Sequence, residues 1–318
     1  MGTQAPSALL DLRLHAIRYE GEGIHSFDFR DRGGAPLPAF TAGAHVDVHL
    51  PNGMARQYSL CNPQDERHRY VVGVKRDDAG RGGSRLLHEK VHVGDVLRVS
   101  EPRNHFGLVE GAPHSVLLAG GIGITPMVCM ARRLAALGRP FALHHAVRRR
   151  SEAAFAQALA GIDRRLHVDE EHGGRPLALA PLLAQAPAGT HFYCCGPAPM
   201  LDAFEDAAAG LPAQQVHVER FSAAHEADHS GGFVVRLARS GASVEVRPGQ
   251  TILEALRTCG VDVPASCEQG ICGSCETRVL DGTPEHRDSL LSDEEKASNS
   301  VMMVCCSGSR GPQLVLDL

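Results

Sequence analysis

The feature that most constrains this chain is a cysteine pattern near its end. Cys267-Glu268-Gln269-Gly270-Ile271-Cys272-Gly273-Ser274-Cys275 is followed by 29 residues and then by Cys305-Cys306. This C-x4-C-x2-C…C spacing is that of plant-type [2Fe–2S] centres. Three thiolates on one tight loop must wrap two irons. Gly270 and Gly273 let the backbone fold close enough to aim amide N–H groups at the sulfurs. A fourth thiolate then arrives from a distant strand. Zinc is the competing reading, but zinc usually takes two C-x2-C pairs and this segment holds one. Adjacent side chains on a strand face opposite ways, so only one of Cys305 and Cys306 can reach the irons; spacing alone does not choose between them.

The N-terminus, Met1 to Pro6, shows no basic start followed by an apolar run, so no secretory signal is expected. A reduced, cytoplasmic compartment then favours metal binding over disulfides for clustered cysteines. The chain of 318 residues has a net charge of −5 and no basic run, so nucleic acid is not an expected partner. Gly111 to Ala131 carries no formal charge and is long enough to span a bilayer. Gly120, Gly121, Gly123 and Pro126 divide it into a strand, a turn and a helix start, so a membrane is not expected either.

Length predicts two or three domains. Residues 1–107 look β-rich: Val46, Val48 and Leu50 alternate with polar neighbours, and 56–61, 69–75 and 95–99 read as further strands. Gly82-Gly83-Ser84 predicts a turn in which Ser84 caps a short helix. A small barrel with one helix fits. From 108 to 225, short apolar runs at 116–119, 141–147, 191–195 and 216–218 alternate with Ala/Leu-rich stretches, the signature of β-α units on a doubly wound parallel sheet. The stretch 222–232 lacks large apolar residues and reads as a flexible linker, its core at 226–232. Residues 233–318 form a last small domain that is β-rich again, with a hairpin at 233–247 and a capping box from Thr251 to Glu254 opening a helix that ends at Gly260. From 231 onward there are 8 Lys/Arg and 12 Asp/Glu, a net of −4, so most of the negative charge lies there.

Two turns in the middle region carry chemistry. In Leu117-Leu118-Ala119-Gly120-Gly121-Ile122-Gly123-Ile124-Thr125-Pro126 a strand runs into glycines, with Thr125 as the expected N-cap and Pro126 at the first helical position. Such a helix start presents N–H groups and a positive dipole end to phosphate. Tyr193-Cys194-Cys195-Gly196-Pro197-Ala198-Pro199-Met200 repeats the strand, turn and helix start. Both turns belong at the carboxyl ends of parallel strands, where ligands bind, and together they favour a dinucleotide. In the first region Arg56-Gln57-Tyr58-Ser59-Leu60 offers a fixed cation, an aromatic ring and a hydroxyl on one strand.

Taken in order, Arg-x-Tyr-Ser-Leu, Gly-Gly-Ser, Gly-Gly-Ile-Gly-Ile-Thr-Pro, Cys-Gly-Pro and the C-terminal cysteine pattern resemble the phthalate dioxygenase reductase family, to which vanillate O-demethylase reductase subunits belong. The resemblance spans nearly the whole chain and extends to Pro284-Glu285-His286-Arg287-Asp288. It implies a flavin-binding β-barrel, an NAD domain and a β-grasp ferredoxin domain, with FMN, NADH and a [2Fe–2S] cluster as cofactors. On this resemblance Arg56 and Gly82-Gly83-Ser84 hold the flavin phosphate, Tyr58 and Ser59 line the ring with Gln57 a further cofactor-binding residue, and the backbone of Gly73-Val74-Lys75 contacts its other side. Thr125 and Phe221 approach from the NAD domain, with Ser59 and Thr125 nearest the reacting atoms. Gly120, Gly121, Gly123, Cys195, Gly196, Pro197 and Met200 border the dinucleotide. The cluster ligands are Cys267, Cys272, Cys275 and Cys305.

The implied function is the reductase component of a Rieske-type oxygenase system that oxidises or demethylates aromatic or related small molecules. An FAD-containing, ferredoxin-type reductase serving another acceptor is the alternative. Arg148-Arg149-Arg150 follows the second strand of the NAD domain, where arginines could hold the 2′-phosphate of NADPH; a solvated charge run is the preferred reading, and NADH the expected donor. The partner is expected to be a terminal Rieske oxygenase, met transiently and steered electrostatically by the acidic last domain, with Glu268 and Glu276 at the exit surface. A pure electron carrier would not need the paired glycine turns, and a zinc scaffold would be colourless.

Overall fold

Leu12 and Leu14 on one strand and Phe27 and Phe29 on the next are buried, in a first strand whose other residues are mostly exposed or half-buried. This period of two makes the first sheet of the computed structural model, which describes residues 9–222 and 225–318. The Met1–Pro6 stretch read above for a secretory signal lies outside the described residues, as do positions 223 and 224 of the linker stretch. The chain divides into two units, Met1–Glu219 and Arg220–Leu318.

In the first unit, β1 (Leu9–Gly21), β2 (Ile24–Asp31), β3 (His45–His49), β4 (Ala55–Ser59), β5 (Tyr70–Lys75) and β6 (Val96–Ser100) pair antiparallel in the order β4-β3-β6-β1-β2-β5. A Leu60–Val72 bridge joins the two edges and closes the barrel. β1 and β2 were not among the strands expected from sequence. β1 bends through register shifts between Leu14 and Ala16 and between Tyr19 and Gly21, and those breaks spoil the plain alternation.

Helix α1 (Gly83–Lys90) opens at Gly82, whose φ of 86° is left-handed, with no side-chain cap. Ser84 therefore does not cap it. It lies inside the first turn, where its Oγ accepts from the Asp77 N–H at 3.0 Å.

The second sheet is wholly parallel: β7 (His114–Gly120), β8 (Phe141–Val147), β9 (Arg164–Val168), β10 (Thr190–Cys195) and β11 (Val216–Glu219) in the order β11-β10-β7-β8-β9. Its strands bury both faces. Leu117, Ala119, Tyr193 and Cys195 join the core of α2 (Ile124–Ala136) and the barrel. Val116, Leu118, Phe192 and Cys194 join α3 (Ala180–Ala184) and α4 (Ala198–Ala208). Adjacent cysteines 194 and 195 thus face opposite cores, as strand geometry requires. Thr125 is not the N-cap of α2. A 3-10 turn at Gly121–Gly123 precedes the helix, Gly123 caps it, and the Thr125 hydroxyl donates back to the Ile122 carbonyl at 3.0 Å.

The second unit holds a mixed sheet of β12 (Phe233–Leu237), β13 (Ser243–Val246), β14 (Glu276–Asp281), β16 (Val301–Met303) and β18 (Gln313–Leu316), in the order β13-β12-β18-β14-β16. A small ladder joins β15 (Pro284–Glu285) to β17 (Gly308–Ser309). Helix α5 (Ile252–Thr258) starts at the Thr251/Glu254 capping box and buries Ile252, Leu253 and Leu256. Helix α6 (Asp293–Ser298) starts at a second box, Ser292/Glu295. Part of 226–232, expected as a linker, is tied into this unit: Asp228 is buried and its N–H donates to the Cys306 carbonyl at 2.7 Å.

Candidate functional site

The chain runs from β7 outward to β8 and β9, then returns to β10 on the other side of β7. Neighbouring strands whose connections diverge leave a crevice at their carboxyl ends, the usual ligand position in such sheets. The two glycine turns sit there and pack on each other. A Cβ on Gly123 would stand 2.1 Å from the Cys195 carbonyl oxygen. One on Gly120 would meet Met200 Sδ at 2.6 Å, Pro197 Cδ at 2.7 Å and the Gly196 Cα at 3.1 Å. Side chains at either position would push the turns apart, and Gly121 takes a left-handed φ of 53°.

Ser59, at the end of β4, is buried, and its hydroxyl donates to Glu219 Oε2 at 3.3 Å. Glu219 closes β11 in register with Cys195 of β10. Burial pushes the Glu219 carboxyl up to about 8, opposed by the Ser59 hydrogen bond. Burial also holds the Cys195 thiol well above its ordinary value, with Glu219 adding to the rise. The barrel and the parallel sheet therefore meet at a hydroxyl, a thiol and a carboxyl that burial biases toward its neutral form, a polar group of the kind that marks functional sites. Glu219 was absent from the sequence reading. Its only signal is a carboxylate ending an apolar strand, two residues before Phe221.

Gly73 of β5 meets the α/β sheet's side of the unit: a Cβ there would stand 2.5 Å from Phe155 Cζ and 2.6 Å from Thr125 Cγ2. Thr125 thus reaches β5 with its methyl. Phe155 is buried with a left-handed φ of 62°, strain that a packed surrounding must hold. The Val74 carbonyl lies 3.0 Å from His88 Nε2 of α1, and Lys75 Nζ donates to Glu152 Oε2 at 2.8 Å. Arg56 runs along Gly83, where a Cβ would stand 2.7 Å from its Nε; its Nη1 donates to the Ala55 carbonyl. Tyr58 is half-buried and its phenol is raised by burial. Gln57 Oε1 is buried with no hydrogen-bond partner. The first unit thus brings Arg56 to the turn at 82–84, Gly73 to Thr125, Ser59 to Glu219 beside Cys195, and the two glycine turns to each other. Phe221 lies past the boundary, in the second unit, and is 38% exposed. Arg149 pairs with Glu22 and Glu152, and Arg150 grips Glu171 through two 2.7 Å hydrogen bonds.

In the second unit Cys267, Cys272, Cys275, Cys305 and Cys306 are all buried. The Cys272 thiol is raised first by contact with Cys267 and then by burial; the Cys275 thiol is raised first by contact with Cys305 and then by burial. The Cys267 thiol also touches Cys305. Four thiols packed so closely cannot all ionise unless cations lie among them, so this donor set fits an iron–sulfur cluster. Cys306 Sγ turns away, toward the Met303 carbonyl at 3.7 Å and Ser307 Oγ at 3.8 Å. A Cβ on Gly270 would stand 2.5 Å from that sulfur, and Gly270 and Gly273 both hold left-handed φ, 69° and 74°. The Gln269 N–H donates to Cys267 Sγ at 3.3 Å.

Comparison with known proteins agrees with this geometry. Residues 235–308 match the 2Fe-2S iron-sulfur cluster binding domain family. The protein is 51% identical, over the full length of both chains, to phenoxybenzoate dioxygenase subunit beta from Ectopseudomonas oleovorans. It resembles the solved structure of phthalate dioxygenase reductase, described as a modular structure for electron transfer from pyridine nucleotides to [2Fe–2S], with a TM-score of 0.75 and 42% identity over 98% of each chain. All of the chain also aligns with 43% of an intact type IV self-sufficient cytochrome P450 monooxygenase, with a TM-score of 0.87 and 39% identity. With likeness of this order along its whole length, the chain belongs to the phthalate dioxygenase reductase family of [2Fe–2S] oxidoreductases.

Proposed function

We propose that this protein takes electrons from NADH through FMN to its [2Fe–2S] cluster and delivers them singly to a terminal Rieske oxygenase acting on an aromatic or related small molecule. The observation that carries this reading is the meeting of Ser59, Cys195 and Glu219 where the barrel adjoins the carboxyl ends of the parallel strands. A bound flavin accepts a hydride and releases electrons one at a time, which is what a pyridine nucleotide and a one-electron cluster require between them.

The chain's own residues then have defined tasks. Arg56 and the uncapped N–H groups of α1 hold the flavin phosphate, since a guanidinium and a helix start both suit an anion. Tyr58 and Gln57 line the ring, and the backbone of 73–75 lies along it. Gly120–Gly123 and Gly196-Pro197 receive the dinucleotide, with Met200 behind them. Ser59 and Thr125 border the reacting atoms, and neutral Glu219 keeps Ser59 oriented without placing a negative charge beside a hydride donor. The carboxylate partners of Arg149 and Arg150 favour NADH, because arginines already paired offer less to a 2′-phosphate. Cys267, Cys272, Cys275 and Cys305 hold the cluster. The likeness to a self-sufficient P450 supports a second reading of the acceptor, a haem monooxygenase in place of a Rieske protein.

The purified protein is expected to show overlapping flavin and [2Fe–2S] absorption and to release FMN on heating. kcat/KM is expected to be higher for NADH than for NADPH. Release of FAD would overturn the FMN assignment, and a colourless protein would overturn the whole reading. Turnover with a purified oxygenase or P450 as acceptor separates the two partners.

A further inference from the structure

The segment 285–291 concentrates buried polar atoms that lack hydrogen-bond partners: both ring nitrogens of His286, Nε of Arg287 and Oδ1 of Asp288. The Asp288 side chain is fully buried and that of His286 is 9% exposed. An unsatisfied buried donor or acceptor is costly, so such a cluster calls for an explanation.

Its surroundings supply one. Asp288 Oδ2 accepts from the N–H groups of Leu290 at 3.2 Å and Leu291 at 2.8 Å, and the Asp288 carbonyl accepts from Lys296 Nζ at 2.9 Å. The Ser289 N–H donates to the Gly270 carbonyl at 3.0 Å. A Cβ on Gly270 would stand 2.9 Å from Asp288 Cα. The Arg287 N–H donates to Ser307 Oγ at 3.3 Å, next to Cys306. The segment is a strap that touches both the three-cysteine loop and the strand end bearing the fourth thiol. Gly270 lies between Gln269 and Ile271, whose amides both point at Cys267 Sγ.

We propose that His286 is a positioning residue for the cluster. The proposal rests on the reading that Cys267 and its three partners hold it. His286 Nδ1 stands 3.7 Å from Asp288 Oδ1, a few tenths of an ångström beyond hydrogen-bond reach. With a proton on Nδ1 the ring donates to that oxygen and satisfies two of the orphaned atoms at once. The bond fixes Asp288, and through Ser289 it fixes Gly270 and the direction of the two amides. N–H donors aimed at ligand sulfurs favour the more negative, reduced cluster. Without His286 the amides drift and the cluster becomes harder to reduce.

The test uses the full-length holoprotein and three variants. His286→Ala is expected to lower the reduced-to-oxidised cluster ratio about threefold at the potential where the native cluster is half reduced, a shift of ~30 mV at 59 mV per tenfold. The electron paramagnetic resonance of its reduced cluster should move as well. Asn carries an amide nitrogen where His has Nδ1; Gln carries one where His has Nε2. His286→Asn should therefore restore the native ratio and spectrum, and His286→Gln should not. Unchanged ratio and resonance in His286→Ala would overturn the proposal, as would equal behaviour of Asn and Gln. Should the alanine variant fail to fold, the Asn–Gln contrast still decides. Native protein without any [2Fe–2S] resonance would instead overturn the underlying ligand reading.

Discussion

Glu219 is a buried carboxyl whose ionisation its surroundings oppose, and it carries a pH prediction. Its folded pKa of about 8 lies above the ordinary 4.5, so between those values the unfolded chain releases a proton that the fold retains. This group's contribution is therefore most favourable below pH 4.5, is lost as pH rises toward 8, and changes no further above that. Glu219→Gln removes the titration. The variant's melting temperature should fall less between pH 5 and pH 8 than the native one, by the equivalent of on the order of 3 kcal/mol at ~1.4 kcal/mol per unit; parallel curves would refute the burial argument. At the cluster, Cys306→Ser should leave the visible spectrum intact whereas Cys305→Ser should degrade it, and the reverse result would reassign the fourth ligand. The cysteine loop was legible from sequence because its three members sit within one turn of chain. The Ser59–Glu219 contact was not, because its partners are 160 residues apart and nothing local to either one names the other.

Elements announce themselves when their pattern is local. The parallel strands appear in the sequence as short apolar runs because both of their faces are buried. The Thr251 capping box is equally plain, since its donor and acceptor lie three residues apart. β1 and β2 escaped because register shifts interrupt their alternation. The helix starts at Gly82 and Gly123 were misread for a single reason. Hydroxyl residues near a helix start invite a capping assignment, but here glycine takes the capping position: at α1 no side chain caps the first N–H groups, whereas at α2 the preceding 3-10 turn supplies carbonyls to the Ile124 N–H. That difference has a functional reading, because an open helix start can receive phosphate. Arg56→Ala, which removes the cation beside α1, should weaken flavin retention by roughly 1.5–3 kcal/mol, the scale of a charged hydrogen bond. Fluorescence of flavin released on dilution checks it; unchanged retention would move the phosphate site away from α1. Gly123→Ala should destabilise the crevice, because its Cβ would stand 2.1 Å from a backbone oxygen that cannot swing aside. An NADH KM raised tenfold or more, or loss of soluble protein, is the expected outcome.

Across the whole molecule the negative charge is uneven, and the structure sharpens which acids can act outward. Residues 231–318 carry a net of −4 out of −5 for the chain. A [2Fe–2S] centre bound by four thiolates adds to it. Glu268, named from sequence as an exit-surface acid, is paired with Arg257 at 2.7 Å and so projects little net charge. Glu276 is different: burial raises its carboxyl first, and Glu295 and Asp288 raise it further by repulsion. Asp293 and Glu294 on α6 are exposed, while Glu295 is held in the capping box. On the proposed partner reading the steering charge is that of the exposed acids of α6, Asp293 and Glu294, beside Glu276, and a basic face on the oxygenase would be drawn to it. Screening shortens from about 10 Å at 0.1 M salt to about 3 Å at 1 M. Electron delivery to the oxygenase should therefore slow roughly tenfold or more from low salt to 0.5 M, while NADH reduction of the bound flavin, an event within the protein, changes far less. Glu294→Lys should reproduce the high-salt rate at low salt, and Glu268→Lys should have the smaller effect because Arg257 already offsets that charge. Stopped-flow traces of oxygenase reduction against salt decide the matter: a rate flat in salt would mean that docking is apolar and that the acidic bias of the last domain serves solubility alone.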